Sequence, residues 1–473
     1  YILFLSLVNF DLDIGPVIYG VYPTFDLSPS ERENISFSSF PDSSHFEEYS
    51  QVHSFRIRES NPKRTNKTSE CFLHSFAYFS RRRSSAAKRG YEQQSVVLVS
   101  QHPWPSIFTE LVSCLGPMYL SHGAPMLEAA CHNIASWSQR SEPCPGSTLE
   151  LGFLGTVLNV ELPDAANDQQ LTEISLFQEK NGQDRHILAS TAPSSPPPLR
   201  LFAASLSHMW SIWECLILNE PLLIYGTSPA MTSQAVWWLL DVLRPLPFGG
   251  DFRPYFTIHD NDYLSLVNKN PPQAGLLLGV TNPFITSTCK HWPHVLSLGR
   301  EVSKQTHGRG SSSTPIAGPP PGWQTKTHKR HISKDRELLK QLESNIDSGE
   351  AAEREASQLL LRHFSSRTSA FLVPLNRYLT TLIPTPSEIP ARTGPVSAKP
   401  SISLKPFNQS QFFASLKTHG SPLPFKSIAK RKDFYERWLR SPSFGLWIAK
   451  QDEIVSDVLS KNALRATNAS SER

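Results

Sequence analysis

The chain has 473 residues, more than one hydrophobic core usually covers, so two or three domains are expected. Its 46 basic and 42 acidic residues leave a formal charge of +4, too slight for nucleic acid to be the main partner. Hydrophobic residues make up 39% and include 10 Trp, ample for cores, yet no apolar run reaches the roughly 20 residues of a membrane-spanning helix.

The opening stretch YILFLSLVNF is apolar and β-branched, Asp11 to Gly15 are turn formers, and Pro16 to Tyr22 read as a second strand, so a hairpin is expected at once. A secretory leader would need a basic leading region and a small-residue cleavage site, and neither precedes Asp11 and Asp13. The run therefore reads as a first strand whose upstream residues are missing from the sequence, with a leader remnant as the alternative. Strands follow at FRIRE, CFLHSFAYFS and SVVLVS (Ser95 to Ser100). Helices are expected at IFTELVSCLGPMYL, where Ile107, Leu111, Val112 and Leu115 recur at helical spacing, and at PMLEAACHNIASW. A sheet followed by packed helices makes residues 1–138 a small α/β or α+β unit.

Residues 139–300 read as a central α/β unit. LSHMWSIWECLILNE sets Leu206, Met209, Ile212, Trp213, Leu216 and Ile217 on one helical face, and SQAVWWLLDVLRPL is helical again. PLLIYG and AGLLLGVTNPF are wholly apolar strands, and their alternation with helices predicts a largely parallel sheet covered on both faces. The 39 prolines cluster at APSSPPPL, STPIAGPPPG and PTPSEIPARTGPVSAKP. Residues 163–198 are accordingly read as an insertion and 301–332 as a linker, both loop-like together with Arg300 to Lys329. Residues 333–461 are helical. Leu338, Leu339, Leu342 and Ile346 share one face, and Phe364, Phe371, Leu375, Tyr378, Leu379 and Leu382 another, with Pro374 expected to kink the second helix. QFFASLKTHG and KDFYERWLRSPSFGLWI supply two short helices.

Motifs for bond-making chemistry are missing: there is no G-x-x-x-x-G-K-S/T, G-x-G-x-x-G after a strand, H-E-x-x-H or G-x-S-x-G. Thr227 and Ser228 follow a strand, but without the glycines that allow a hydrolase nucleophile its sharp turn. The cysteines at 71, 114, 131, 144, 215 and 289 form no CxxC pair and read as reduced, buried cytosolic thiols, which makes the N-x-S/T triplets at Asn34, Asn66, Asn408 and Asn468 incidental. His291 and His294 could pair on a metal, but with a proline between them and no third ligand nearby, a packed Trp292 flanked by ordinary histidines is the reading, and no metal or other cofactor is expected. The basic runs Arg81 to Arg83 with Lys88 and Arg89, and Lys326 to His331, read as solvated loops. Attraction to an anionic membrane surface, hence peripheral membrane association, is the alternative. DFRPYFTIHD (Asp251 to Asp260) joins charges, aromatics and a proline between two sheet elements, a composition suited to recognising a surface.

FDLDIGPVIYGVYP, LSPSERENISFSSFPDSS, SFRIR, KRGYEQQSVVLVS, MLEAACHNIASW, IWECLILNEPLLIYGTSP, DFRPYFTIHD, LLLGVTNPF, HWPHVLSLG and AFLVPLNRYLTTLIP occur in this order from Phe10 to about Trp447. The series resembles the DENN-domain proteins, and among them the sixth subfamily, formerly family with sequence similarity 116. The resemblance implies a tripartite α/β module: a longin-like upstream part over 1–138, a central α/β part over 139–300 and a helical downstream part over 333–461. It also implies guanine-nucleotide exchange on a Rab-type small GTPase in membrane trafficking, with a cytoplasmic protein recruited to endosomal or recycling membranes.

Such a factor needs no nucleophile, because it holds the GTPase with its switch segments displaced and so acts by differential binding. The contact candidates that the resemblance implies are Asp251, Phe252, Arg253, Pro254 and Tyr255, with Thr281, Asn282, Pro283 and Phe284 from the other strand exit. The structural alternative is that Phe252 and Tyr255 are core aromatics and Asn282-Pro283 a turn former. Two rival activities are a non-catalytic scaffold that binds the active GTPase and a GTPase-activating protein using Arg253 as an arginine finger. The sequence departs from the family where helices expected after SFGLWI give way to NALRATNASSER, which reads as a truncated helical part.

Overall fold

The computed structural model describes residues 2–42, 47–60, 72–85, 87–88, 90–140, 144–163, 186–300, 318–385 and 403–471. Asn66, Cys71 and segments 164–185, 301–317 and 386–402, on which several expectations fall, lie outside the described residues.

The expected hairpin opens the chain as β1 (Ile2–Asp11) and β2 (Gly15–Tyr22), joined by β3 (Tyr49–Arg58), β4 (Phe72–Arg83) and β5 (Tyr91–Ser100) in an antiparallel sheet of order β2-β1-β5-β4-β3. Side chains alternate across it. Leu5, Leu7, Phe76, Val96 and Leu98 face one core, with helices α2 (Pro105–His122) and α3 (Ala124–Arg140), while Phe4, Val8, Phe55, Ile57, Phe79, Val97 and Val99 face another. That second face is closed by a helix the sequence reading overlooked, α1 (Pro29–Ser38). Its start is written locally: Ser28 accepts from the Glu31 amide, Glu31 returns to the Ser28 amide, and Pro29 opens the first turn.

A small sheet of β6 (Thr148–Phe153), β7 (Thr156–Glu161) and β8 (His186–Leu188) follows. Strand β8 corrects the reading of 163–198 as loop-like throughout. Its described end is packed: Leu188, Ala189 and Ala192 are buried, Ala192 donates to Asp241 at 2.7 Å, and Gln234 Nε2 donates to the carbonyls of Pro193 and Pro196. The prolines lack donors, so their carbonyls are met by a side chain rather than by a ladder.

The central sheet holds β9 (Leu222–Tyr225), β10 (Asp251–Arg253), β11 (Leu276–Val280), β12 (His294–Ser297) and β13 (Gly322–Thr325), in the order β10-β11-β9-β12-β13. All pairs are parallel except β12 with β13, and every residue of β9 and β11 is buried, as their apolar sequences require. Strand β13 lies inside the expected linker and corrects it, because Gly322–Thr325 returns antiparallel against β12. Helices Met209–Ile217 and Pro229–Asp241 bring Trp210, Trp213, Trp237 and Trp238 into the shared core.

The helical part comprises Arg336–Asn345, Glu350–Leu382, Gln409–His419, Ile428–Trp438 and Pro442–Ser471. The second of these runs continuously through buried Pro374. Pro442 starts the last helix, which contains SFGLWI and continues through NALRATNASS. The α/β fold class is as expected. Two expectations about surfaces are corrected. Cys215 and Cys289 are buried, but Cys114 and Cys131 are half-buried and Cys144 is exposed. Arg81 lies within β4 and is buried, and His331 is buried as well, so neither basic run is simply a solvated loop. Among the described residues no helix is long and apolar enough to cross a membrane.

Candidate functional site

Strand β10 is an edge of the central sheet, and it lies against β3 of the N-terminal sheet. At this seam Arg253 is fully buried. Its Nε and Nη2 donate to Asp251 Oδ1 and Oδ2 at 3.0 and 3.1 Å, Nη2 also to Asp262 Oδ2 at 2.6 Å, and Nη1 to the Arg56 carbonyl at 3.3 Å. Asp260 Oδ2 stands 3.7 Å from Nη1. From β3, Arg56 reaches Asp251 Oδ1 at 3.5 Å, with its guanidinium 3.8 Å from the Phe72 ring centroid and 4.2 Å from that of Phe252. Burial pushes the Asp260 carboxyl up to about 6 despite Arg253. Burial opposes ionisation at Asp262 too, but the bond and charge of Arg253, together with Arg58, hold that carboxyl below the usual range.

The neighbouring candidates are equally internal. Tyr255 donates to the Phe40 carbonyl at 3.3 Å, accepts from the Asp42 amide at 2.9 Å, and meets the His53 ring edge-on. Beside it Trp237 Nε1 donates to Ser54 Oγ at 2.7 Å. The chain passes so close here that a Cβ on Gly279 would stand 2.2 Å from the Pro254 carbonyl oxygen. Of the contact candidates, Asp251, Phe252, Arg253, Pro254 and Tyr255 are all buried, with guanidinium and carboxylates satisfying one another within the seam, and Phe252 and Tyr255 are core aromatics as the structural alternative has it. Arg253 cannot act as an arginine finger from this position without dismantling the network. Thr281 is buried as well.

The second strand exit does reach the surface. Asn282 and Pro283 are half-buried, Phe284 is 62% exposed, and Asn282 Oδ1 caps the short helix Pro283–Thr288 by accepting from the Phe284 amide at 2.9 Å. Leu264, 70% exposed, and Ile258 project from the segment after β10. Helix α1 joins this rim: Phe37 stacks on His259 at 4.2 Å, Asn34 accepts from the Asn261 amide, and Asn282 Nδ2 donates to Asp42 at 2.8 Å. The result is an apolar rim at the carboxyl ends of parallel strands, where open α/β sheets commonly present their binding crevice. Leu264 escaped the sequence reading and Ile258 was covered only as part of DFRPYFTIHD, because nothing local marks which apolar residue faces water.

At the opposite edge of the sheet the fold gathers residues far apart in sequence. Glu214 accepts from the amides of His331 and Ile332 and from the His331 ring, His331 also faces Asp433, and Glu220 binds His294 and Arg437. Burial opposes ionisation of both glutamates, yet His328, His331 and the two amides hold Glu214 below its usual range, and His294 with Arg437 holds Glu220 at about 2. Trp292 is packed as expected and His291 is half-buried, but His294 is no ordinary histidine: it is buried in this group. Absence of local clustering was the ground for expecting no metal, and the fold removes that ground by bringing Cys215, Glu220 and His328 within ligating distance.

No protein-family model matches the chain. It is 32% identical to human "Protein DENND6B" over 463 residues, covering 93% of this chain and 77% of the relative. Identity to mouse "Protein DENND6A" is 30% over 462 residues, covering 93% and 74%, and to the "Protein DENND6 homolog" of Dictyostelium discoideum 26% over 519 residues, covering 93% and 69%. With similarity running through nearly the whole chain, and in accord with the ordered segments from Phe10 to Trp447, the chain belongs to the DENND6 subfamily of the DENN-domain proteins.

Proposed function

We propose that the chain is a guanine-nucleotide exchange factor that promotes GDP release from a Rab-type small GTPase in membrane trafficking, in the cytoplasm with recruitment to endosomal or recycling membranes. Family membership supports this reading, and one observation carries it to residues: the exposed apolar rim of Ile258, Leu264 and Phe284 beside the seam of two sheets. Large exposed apolar side chains on the segments that follow neighbouring parallel strands offer a partner a surface where such sheets commonly bind. The rim sits on a rigid base, since Asn282 ties its exit to Asp42 and Phe37 stacks on His259. A partner held there would have its switch segments displaced from Mg2+ and phosphate, so the rate gain is tighter binding to the nucleotide-free state.

The test is the full chain mixed with a panel of Rab-type GTPases loaded with labelled GDP or GTP. Accelerated GDP release is the expected outcome. GTP-selective binding without release would favour a scaffold, and accelerated hydrolysis would favour an activating role with an arginine other than Arg253.

A further inference from the structure

We propose that Cys215, Glu220 and His328 form a binding site for a zinc-type divalent transition-metal ion. One ligand atom from each of Cys215, Glu220 and His328 lies within 4.8 Å of the others. His294 Nε2 already abuts Glu220 Oε2. Thiolate, imidazole and carboxylate are zinc donors, three of them leave the fourth tetrahedral position to water, and the sulfur selects against magnesium and calcium.

The independent observation is His328. Its side chain is 1% exposed, yet neither ring nitrogen makes a hydrogen bond. Nε2 stands 2.9 Å from Glu214 Oε2 without the alignment a bond requires. A buried imidazole whose Nε2 meets the Glu214 carboxylate but whose Nδ1 has no hydrogen-bond partner still has a nitrogen to offer an ion.

The surroundings are those of a ligand shell. His294 Nε2 holds one oxygen of Glu220 and Arg437 the other, and His294 Nδ1 faces Thr325 Oγ1 at 3.0 Å. The competing trio of Glu214, His328 and His331 is less suited. Glu214 is saturated by the amides of His331 and Ile332 and by the His331 ring, and the other His331 nitrogen faces Asp433. On binding, the Cys215 S–H bond breaks, its proton passes to solvent, and the thiolate bonds the ion with no change in oxidation state. Cys215 and Glu220 bracket the turn before β9, His294 lies in β12 and His328 follows β13. The ion would therefore tie the segment leading into the helical part onto the sheet.

The experiment strips the full chain with a chelator and titrates it with Zn2+ against a chromophoric competitor, then separately with Co2+. Expected are a single equivalent of tight Zn2+ binding and a tetrahedral Co2+ spectrum with a thiolate-to-metal band. Cys215→Ser should abolish that band and His328→Gln should weaken Zn2+ at least about tenfold, whereas Cys144→Ser, at an exposed thiol, should change neither. Absence of stoichiometric binding, binding unaltered by Cys215→Ser and His328→Gln, or an octahedral Co2+ spectrum lacking the thiolate band would overturn the site. Circular dichroism checks that the variants fold, and the cobalt spectrum of the unaltered chain decides the matter independently of them.

Discussion

At the β10 edge the central sheet meets the N-terminal sheet through charge, whereas it meets the helical part through rings. On the first side two arginines and three aspartates share a buried seam, Arg253 alone touching Asp251, Asp260 and Asp262. On the second, Trp213 stacks on Phe434, and Phe371 lies parallel to Tyr435 at 5.0 Å and edge-on to Trp438 at 5.0 Å, with polar contacts such as Trp213 Nε1 to Thr368 at 3.0 Å and Glu220 to Arg437 set around the rings. Ring packing is non-directional and tolerates small changes of shape. A buried ion network is all-or-nothing, because each member is desolvated and depends on the others. The β10 seam should therefore be brittle and pH-sensitive and the ring junction forgiving.

The largest effect should come from Arg253→Ala. It leaves Asp251, Asp260 and Asp262 facing one another without their main cation, and should lower stability by about 3 to 5 kcal/mol in denaturant unfolding. A loss under about 1 kcal/mol would break the contrast. Next is pH. Asp260 is raised from 3.8 to about 6, so it favours folding fully below pH 4 and loses that contribution as pH climbs through 6. Asp262 is shifted the other way, and its contribution fails only as pH falls through the acid range below 3.8. Between pH 4 and 7 Asp260 contributes a decline of at most about 3 kcal/mol, while His53 and His363, held down at about 4 by burial, contribute a rise over the same range. Asp260→Asn should remove the declining contribution, so that stability rises more steeply with pH than in the unaltered chain, and an unchanged profile in the variant would show that the carboxyl contributes nothing. At the ring junction Phe371→Leu, which keeps an apolar side chain, should cost only about 1 to 2 kcal/mol. A loss matching that of Arg253→Ala would erase the difference between the two sides.

How much of this was legible follows the same division. The β9 and β11 strands, the helical faces around Leu111 and Phe364, and the opening hairpin were readable because apolar periodicity reports burial directly. Helix α1 had a readable signal in Ser28-Pro29-Ser30-Glu31 that apolar periodicity could not supply, its moment being weak. The direction in which Arg253 faces was not readable at all. A charged residue in a short strand looks the same whether it meets water or three carboxylates contributed by its own turn, and the deciding partner, Arg56, is 197 residues away. The His328 group fails the local test for the same reason, since Cys215, Glu220, His294 and His328 are assembled by the central sheet rather than by any short loop spacing.

The smallest stability effect belongs to the residue expected to matter most for function. Phe284 is 62% exposed and its ring contributes little to any core, so Phe284→Ala should move the unfolding midpoint by no more than about 0.5 kcal/mol. If the rim contacts a GTPase, the same change should slow GDP release about tenfold, the usual scale for losing an aromatic anchor. Leu264→Ala, across the same rim and not part of either buried network, should act in the same direction with a smaller loss. An unchanged exchange rate in both variants would clear the rim of a contact role and turn attention to the other exposed apolar face, at Ile14 and Tyr19 of the opening hairpin. Arg253→Ala provides the opposing control: exchange there should fall only in proportion to the unfolded fraction, because its side chain never reaches the surface. Rim and seam thus separate on two axes, activity without stability at Phe284 and stability without a direct contact at Arg253.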